Sequence, residues 1–197
     1  MSTLPAGITP AGSGKVGSQD VKWNILGHVY WLKAESDDCF AFETLDPPGT
    51  FVPPHVHPAQ DEFIYMLEGT FDLYLAGSWT KAGAGDLVRM TRGIPHGYYN
   101  RSEKPARALF WVTPAGRLRA LFDQLHDLGD VEEVVRRSAA HEVISCRRGA
   151  CQGPKMLTTT SLKACSQGHM QRREFISLLG VRPRHGREIP CSPAPTR

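Results

Sequence analysis

The sequence predicts an all-β domain, folded as an antiparallel sandwich or barrel and followed by one or two helices. Three observations predict it: short β-leaning runs separated by turn residues, a switch to helical periodicity after Pro114, and an uneven composition. All the aromatic residues except Phe175 lie before residue 145. Residues 1–144 contain 13 basic and 18 acidic side chains, whereas residues 145–197 contain 10 basic and 2 acidic ones. One folded domain and a basic tail are therefore expected.

Composition divides the chain into three parts. Residues 1–20 are rich in Gly, Ser, Pro and Thr and hold too few apolar groups to offset the entropy of ordering, which predicts a flexible leader. Residues 21–144 are the predicted domain with its C-terminal helices. Residues 145–197 are the predicted basic tail, either disordered or a frameshifted or read-through extension of an ordinary domain.

The predicted strands follow one another with turn residues between them. They are residues 23–33, 39–45, 62–67, 71–76, 86–90, 96–99 and 106–113. Short strands with Gly-rich and Pro-rich breaks at this density are typical of an antiparallel sandwich or barrel. The fold class follows from this pattern.

Two helices are predicted after the last strand. Leucines and a phenylalanine recur between Leu118 and Leu128 at the i, i+3, i+4 spacing of an amphipathic helix, and Gly129 ends it. Asp130 with Glu133 three residues later is typical of a second helix start. We expect both helices to pack against the outside of the β-unit.

Several classes of function are excluded by composition. No stretch approaches the ~18 consecutive apolar residues of a membrane span, and residues 1–15 lack the features of a secretory signal. A cytoplasmic protein without membrane partners is therefore expected. Because the predicted domain is acidic and has no basic stripe, nucleic acid is not an expected partner either.

A cluster of metal-ligand residue types lies between the second and third predicted strands. In an extended chain His55 and His57 point the same way, so that both imidazoles can reach one point. Glu62 begins the next strand on the face shared by apolar residues, where a carboxylate is costly unless a cation neutralises it. These residues predict a metal site.

A third histidine follows a Gly-Ile-Pro turn. His96 shares one strand face with Tyr98, which is the candidate substrate-binding residue. Three imidazoles and a carboxylate suit one divalent transition metal, namely Fe, Mn, Ni, Cu, Co or Zn, and can leave open positions for a substrate. The ligand types do not select among these metals.

The spacing of these residues resembles that of the cupin superfamily. The first motif is matched by Gly49, His55, His57, Glu62 and Gly69, with intervals of five, one, four and six residues. The second is matched by Gly85, Gly93, His96 and Asn100, and it departs only at Thr91, where a proline is usual. Within the superfamily, the chain is similar to the quercetin 2,3-dioxygenase-like group of small cupins.

This resemblance implies a single jelly-roll β-barrel with a metal in its mouth, held by His55, His57, Glu62 and His96. It favours a metal-dependent dioxygenase acting on a small enolic or phenolic compound, with Glu62 as ligand and also as the catalytic base. Two alternatives stay open: a non-catalytic small-molecule sensing protein and a metal-dependent isomerase or lyase. Pairing of barrels through exposed sheet surface makes a homodimer the expected assembly.

Overall fold

The computed structural model describes residues 4–16 and 18–146. Within them the chain forms short strands and two helices. In chain order these are β1 (Lys15–Val16), β2 (Gln19–Asp20), β3 (Lys22–Ile25), β4 (His28–Glu35), β5 (Phe40–Asp46), β6 (Phe51–Val56), β7 (Asp61–Glu68), β8 (Thr70–Leu75), β9 (Ser78–Gly83), β10 (Leu87–Met90), β11 (His96–Tyr99), β12 (Ala106–Thr113), α1 (Leu118–Leu125), α2 (Val131–Ala140) and β13 (Ile144–Ser145).

Two antiparallel sheets build the domain. One has six strands in the order β10-β7-β12-β5-β4-β3, and the other has five in the order β13-β6-β11-β8-β9. Strands alternate buried and half-exposed residues, as β12 does over its whole length, so each sheet buries one face in a shared core. The predicted all-β class with two C-terminal helices is confirmed.

The sequence pattern located most strands but not all of them. The predicted run 23–33 is two strands, because Leu26 and Gly27 adopt φ values of 50° and 91° and turn the chain. Strands β6 and β9 were not predicted. The residues of β9 are mostly exposed and lack alternation. The glycines at 49, 69, 85 and 93 all have positive φ, as the turns require.

The helices do not lie where the sequence analysis places them. Instead of covering the outside of a sheet, α1 turns its apolar side chains into the core. The Phe122 ring centroid lies 5.5 Å from that of Trp23 and 4.9 Å from that of Phe42. The expectation of an external position is therefore wrong: the periodicity identifies an apolar face but not its partner.

Polar contacts fix both helices. The Trp23 indole donates to Asp123 at 2.8 Å, and the Asp127 amide donates to the Asn24 carbonyl at 2.9 Å. Asp130 caps α2 by accepting from the amides of Glu132 and Glu133, which confirms the predicted helix start. Within the part of the chain that the structure describes, neither helix is long and apolar enough to cross a membrane.

The two ends of the domain make specific contacts. In the leader, the Gly12 amide donates to Glu43 at 3.0 Å, and Lys33 donates to the Ser13 carbonyl at 2.7 Å. The predicted flexibility of the leader stays a prediction. At the other end, β13 pairs with β6 and the Cys146 amide donates to the Pro54 carbonyl at 2.9 Å. The fold thus extends two residues past the predicted boundary at 144. The rest of the predicted tail, 147–197, lies outside the described residues.

Apolar side chains are exposed on the outer face of the six-stranded sheet. Tyr65 and Leu67 of β7 are 41% and 43% exposed, and Leu87 of β10, which pairs with Tyr65, is 48% exposed. The predicted homodimer would cover such a face, and it stays a prediction.

Candidate metal centre

The structure brings the four predicted ligand residues together from both sheets. His55 lies in β6 and His57 directly follows it, while His96 begins β11 and pairs with His55 across the five-stranded sheet. Glu62 reaches them from β7 of the opposite sheet. All four are buried, with exposed fractions of 2–7%. We refer to His55, His57, Glu62 and His96 as the metal cluster.

The donor atoms of the metal cluster are spaced as metal ligands are. His57 Nε2 lies 3.2 Å from His55 Nε2 and 3.2 Å from Glu62 Oε2, and His96 Nε2 lies 3.0 Å from Glu62 Oε2. All four donor atoms lie within 4.8 Å of one another. Atoms bound ~2.1 Å from one ion at right angles would lie about 3 Å apart. The donor set therefore fits a single ion of the first transition series.

Hydrogen bonds on the far side of each ring fix which nitrogen faces the centre. Nδ1 of His55 faces the Pro53 carbonyl at 3.0 Å, and Nδ1 of His96 faces the Ile94 carbonyl at 2.8 Å. Because a carbonyl only accepts, each Nδ1 donates and each Nε2 keeps its lone pair. The lone pairs converge on the Glu62 carboxylate, an arrangement that suits a bound cation.

The electrostatic environment favours a neutral imidazole and an ionised carboxylate, which are the forms that bind a metal. Burial, and then the neighbouring His96 and His57, lower the pKa of His55 well below its usual range, so this ring stays neutral. Burial alone would raise the pKa of Glu62, but contact with His57 and His96 outweighs burial and holds that pKa far below its usual range. A neutral imidazole beside an ionised carboxylate is ready to bind a metal.

Gln60 connects the metal cluster to the start of α1. Its Oε1 faces His57 Nδ1 at 3.2 Å, and its amide nitrogen donates to the carbonyls of Pro114 at 2.9 Å and Ala115 at 2.7 Å. A side chain at Gly116 would come within 2.9 Å of that nitrogen. The sequence did not predict these hydrogen bonds, because Pro114 and Ala115 lie 54 and 55 residues from Gln60 along the chain.

Asp61 stands next to Glu62 but takes no part in the metal cluster. It accepts from the Arg92 amide at 2.8 Å and from the Arg92 guanidinium at 2.6 Å on the outer face. Alternation along β7 explains this difference, since neighbouring residues point to opposite faces of a strand.

A cavity of about 140 Å³ opens from the metal cluster into the space between the sheets. Its lining is mostly apolar and includes side chains of both helices, among them Leu118, Leu121, Phe122, Leu125 and Val134. Tyr98, the predicted substrate contact, lines this cavity. Tyr30 and His28 do so as well, although sequence reasoning missed them as site residues.

A second buried polar group lies beside the cavity. His28 Nδ1 contacts Asp46 at 2.5 Å, its Nε2 faces the Phe51 carbonyl at 3.2 Å, and Thr44 donates to the other Asp46 oxygen at 2.5 Å. The hydroxyls of Tyr30 and Tyr98 lie 3.5 Å apart. Burial first, and charge nearby second, raise the pKa of both tyrosines well above the usual range, so both hydroxyls stay protonated.

Residues 41–112 match the Cupin_2 family, described as the cupin domain. Over this segment the chain is similar to the cupin domain. The segment contains all four residues of the metal cluster, and the predicted jelly-roll fold is confirmed. The closer resemblance to the quercetin 2,3-dioxygenase-like group stays a prediction.

The chain is similar to several known proteins over about a third of its length. It is 33% identical over 67 residues to the tetracenomycin polyketide synthase protein TcmJ of Streptomyces glaucescens, covering 34% of this chain and 45% of that one. It is 34% identical over 67 residues to germin-like protein 5-1 of Oryza sativa subsp. japonica, covering 32% and 30%. The chain thus spans less than half the length of these relatives. The structure of KdgF from Halomonas sp. superposes with a TM-score of 0.47 at 21% identity, covering 53% of this chain and 94% of that one.

Proposed function

We propose that this protein is a metal-dependent dioxygenase that acts on a small enolic or phenolic compound. The observation that carries the proposal is the joining of two features: a metal cluster whose donor atoms converge, and a mostly apolar cavity that opens directly from it. Apolar walls with a few placed polar groups are typical of small-molecule sites. The proposed metal ligands are His55, His57, Glu62 and His96, and the proposed substrate contact is Tyr98.

The acid–base groups of the cavity favour a substrate with one acidic hydroxyl. Among the described residues that line it, Glu62 is the only carboxylate. His28 is already engaged through both ring nitrogens with Asp46 and the Phe51 carbonyl. Isomerases that move a proton between two carbons need an acid and a base in place. A single lining carboxylate suits removal of one proton, from an enol or a phenol.

The four ligands leave room for chemistry at the ion. A divalent metal bound there would supply the positive charge that stabilises a deprotonated oxygen and the redox-active centre that dioxygen requires. Glu62 takes the hydroxyl proton in this scheme. To do so it must move away from His57 and His96, because contact with these two residues holds its pKa low. The apolar walls exclude water and orient the ring.

The relatives support the substrate class. TcmJ is named as a polyketide synthase protein, and polyketides carry enolic and phenolic hydroxyls. The match covers 45% of that relative, so it supports the type of hydroxyl and not a particular substrate.

Oxygen uptake tests the proposal. The full chain is loaded separately with Fe(II), Mn(II), Ni(II), Cu(II) and Co(II), and uptake is followed with acetylacetone, catechol and quercetin. We expect one O₂ consumed per substrate, with both atoms of ¹⁸O₂ found in the cleaved product. Glu62→Gln should abolish uptake, while Asp61→Asn, one position along the same strand, should retain it.

Each other outcome identifies a different function. Conversion that proceeds equally without oxygen would overturn the dioxygenase in favour of an isomerase or lyase. Tight binding without turnover, with every metal, would establish the sensing alternative. Uptake that survives Glu62→Gln would remove Glu62 from the reaction.

A further inference from the structure

The hydroxyl pair of Tyr30 and Tyr98 has hydrogen-bonding capacity that the described residues do not use. Both side chains are 5% exposed and both line the cavity. Their oxygens lie 3.5 Å apart, at the long limit for a hydrogen bond. Within residues 4–16 and 18–146, neither hydroxyl makes another hydrogen bond.

One of the two hydroxyl protons has no acceptor among the described side chains. Two phenolic hydroxyls carry two protons, and only one of these can lie between the two oxygens. The other proton has no acceptor among the described side chains. His28, whose ring stacks on Tyr30 at 5.7 Å, cannot accept it, because both of its nitrogens are engaged with Asp46 and the Phe51 carbonyl. A buried donor without an acceptor is costly.

The packing around the pair holds it in place. Tyr98 packs on Phe71 with ring centroids 4.6 Å apart, and Tyr30 packs on Phe122 at 5.0 Å. Neither ring can turn its hydroxyl to solvent without disrupting these aromatic contacts. The spare proton is therefore directed to a position that a ligand in the cavity can occupy.

Tyr98 also stands in a fixed relation to the metal cluster. It lies two residues after His96 on the same face of β11, roughly 7 Å along the strand. A cavity of about 140 Å³ resembles in size one of about 150 Å³ that holds benzene. A single ring is therefore the size of ligand that fits this volume.

We propose that the Tyr30–Tyr98 hydroxyl pair binds a second oxygen of a monocyclic substrate whose first oxygen faces the metal cluster. The substrate class is then a six-membered ring, aromatic or enolic, with two oxygen functions. This inference rests on the proposed function, because it assigns the substrate of the same site.

Calorimetric titration of the full chain loaded with zinc tests whether the Tyr30–Tyr98 pair binds a second oxygen of the ligand. No turnover occurs, since Zn²⁺ has no redox chemistry. The probes are resorcinol, which has two hydroxyls, and phenol, which has one. We expect resorcinol to bind about fivefold more tightly, the value of one hydrogen bond of ~1 kcal/mol. Tyr98→Phe and Tyr30→Phe should each remove this preference while phenol affinity changes less than about twofold.

Controls separate this result from a general loss of structure. Tyr65→Phe, on the outer face, should keep the preference, and zinc content and the melting temperature should match in all variants. If the native chain does not prefer resorcinol over phenol, or if the Tyr30→Phe/Tyr98→Phe double variant keeps that preference, the proposed role of the hydroxyl pair is wrong. Quercetin binding more tightly than either probe would overturn the single-ring class. A preference for resorcinol without any oxygen uptake would contradict the dioxygenase but would still support substrate binding by the Tyr30–Tyr98 hydroxyl pair.

Discussion

Two buried groups of histidine and carboxylate lie beside the same cavity, and they are built in opposite ways. In the Asp46 group, each carboxylate oxygen has its partner: His28 at 2.5 Å and Thr44 at 2.5 Å, while the Asp46 carbonyl accepts from Asn100 at 2.7 Å. In the metal cluster, the outer nitrogens are satisfied and the inner ones face a carboxylate with lone pairs. The first group is complete without a ligand, and the second is not.

The contrast teaches that burial and residue type do not distinguish a structural group from a metal site. Both groups are almost wholly buried, and both join imidazole to carboxylate. What differs is the balance of donors and acceptors. Where donors and acceptors match, the group holds the fold together; where acceptors exceed donors, the group is suited to hold a cation.

The largest effect on stability is expected from disrupting the Asp46 group. Asp46→Asn removes the charge that His28 faces and should lower the free energy of unfolding by about 3–5 kcal/mol. Glu62→Gln in metal-free protein should have little effect or a stabilising one, because its amide can donate to the lone pairs of His57 and His96. Urea denaturation of both variants measures this. Equal losses of unfolding free energy in Asp46→Asn and Glu62→Gln would contradict the difference between the two groups.

A smaller effect is expected from Gln60, which orients a ligand without being one. Gln60→Leu leaves His57 Nδ1 without its acceptor and should weaken zinc binding by about 10–100-fold. Gln124→Leu, the same substitution on the exposed side of α1, should leave zinc affinity unchanged. Competition with a chelator of known affinity measures both. Unchanged affinity in Gln60→Leu would show that His57 needs no support.

A third effect depends on pH. The folded-state pKa of His55 lies below its unfolded value, so the unfolded chain binds more protons and stability falls as pH drops below ~6.5. His55→Ala should reduce this slope in metal-free protein between pH 7 and 5, by at most ~1.4 kcal/mol per pH unit. The exposed His126→Ala serves as the control. Denaturation across this range measures the slope, and an unaltered slope in His55→Ala would contradict a neutral, buried ring.

The parts that sequence predicts are those governed by local periodicity. Alternation along strands placed His55 with His57 and put Glu62 inward, and the structure shows these orientations. Turn chemistry placed Asp130 at a helix start. These features depend on neighbours a few residues away, which a single sequence displays.

The parts that were missed depend on distant contacts. Phe122 enters the core between sheets whose strands lie far back in the chain, and Gln60 bonds to carbonyls more than 50 residues away. Tyr30 meets Tyr98 across 68 residues. No periodicity encodes which faces meet, so the lining of the cavity could only be seen once the chain was folded.

Metal content tests the central claim most directly. The full chain and its His55→Ala/His57→Ala, Glu62→Gln and Asp61→Asn variants are loaded with excess divalent metal, desalted and measured by elemental analysis. We expect about one ion per chain in the native protein and Asp61→Asn, less in Glu62→Gln, and almost none in the double variant. Equal metal in the native chain and a folded double variant, or none in a folded native chain, would contradict the metal centre.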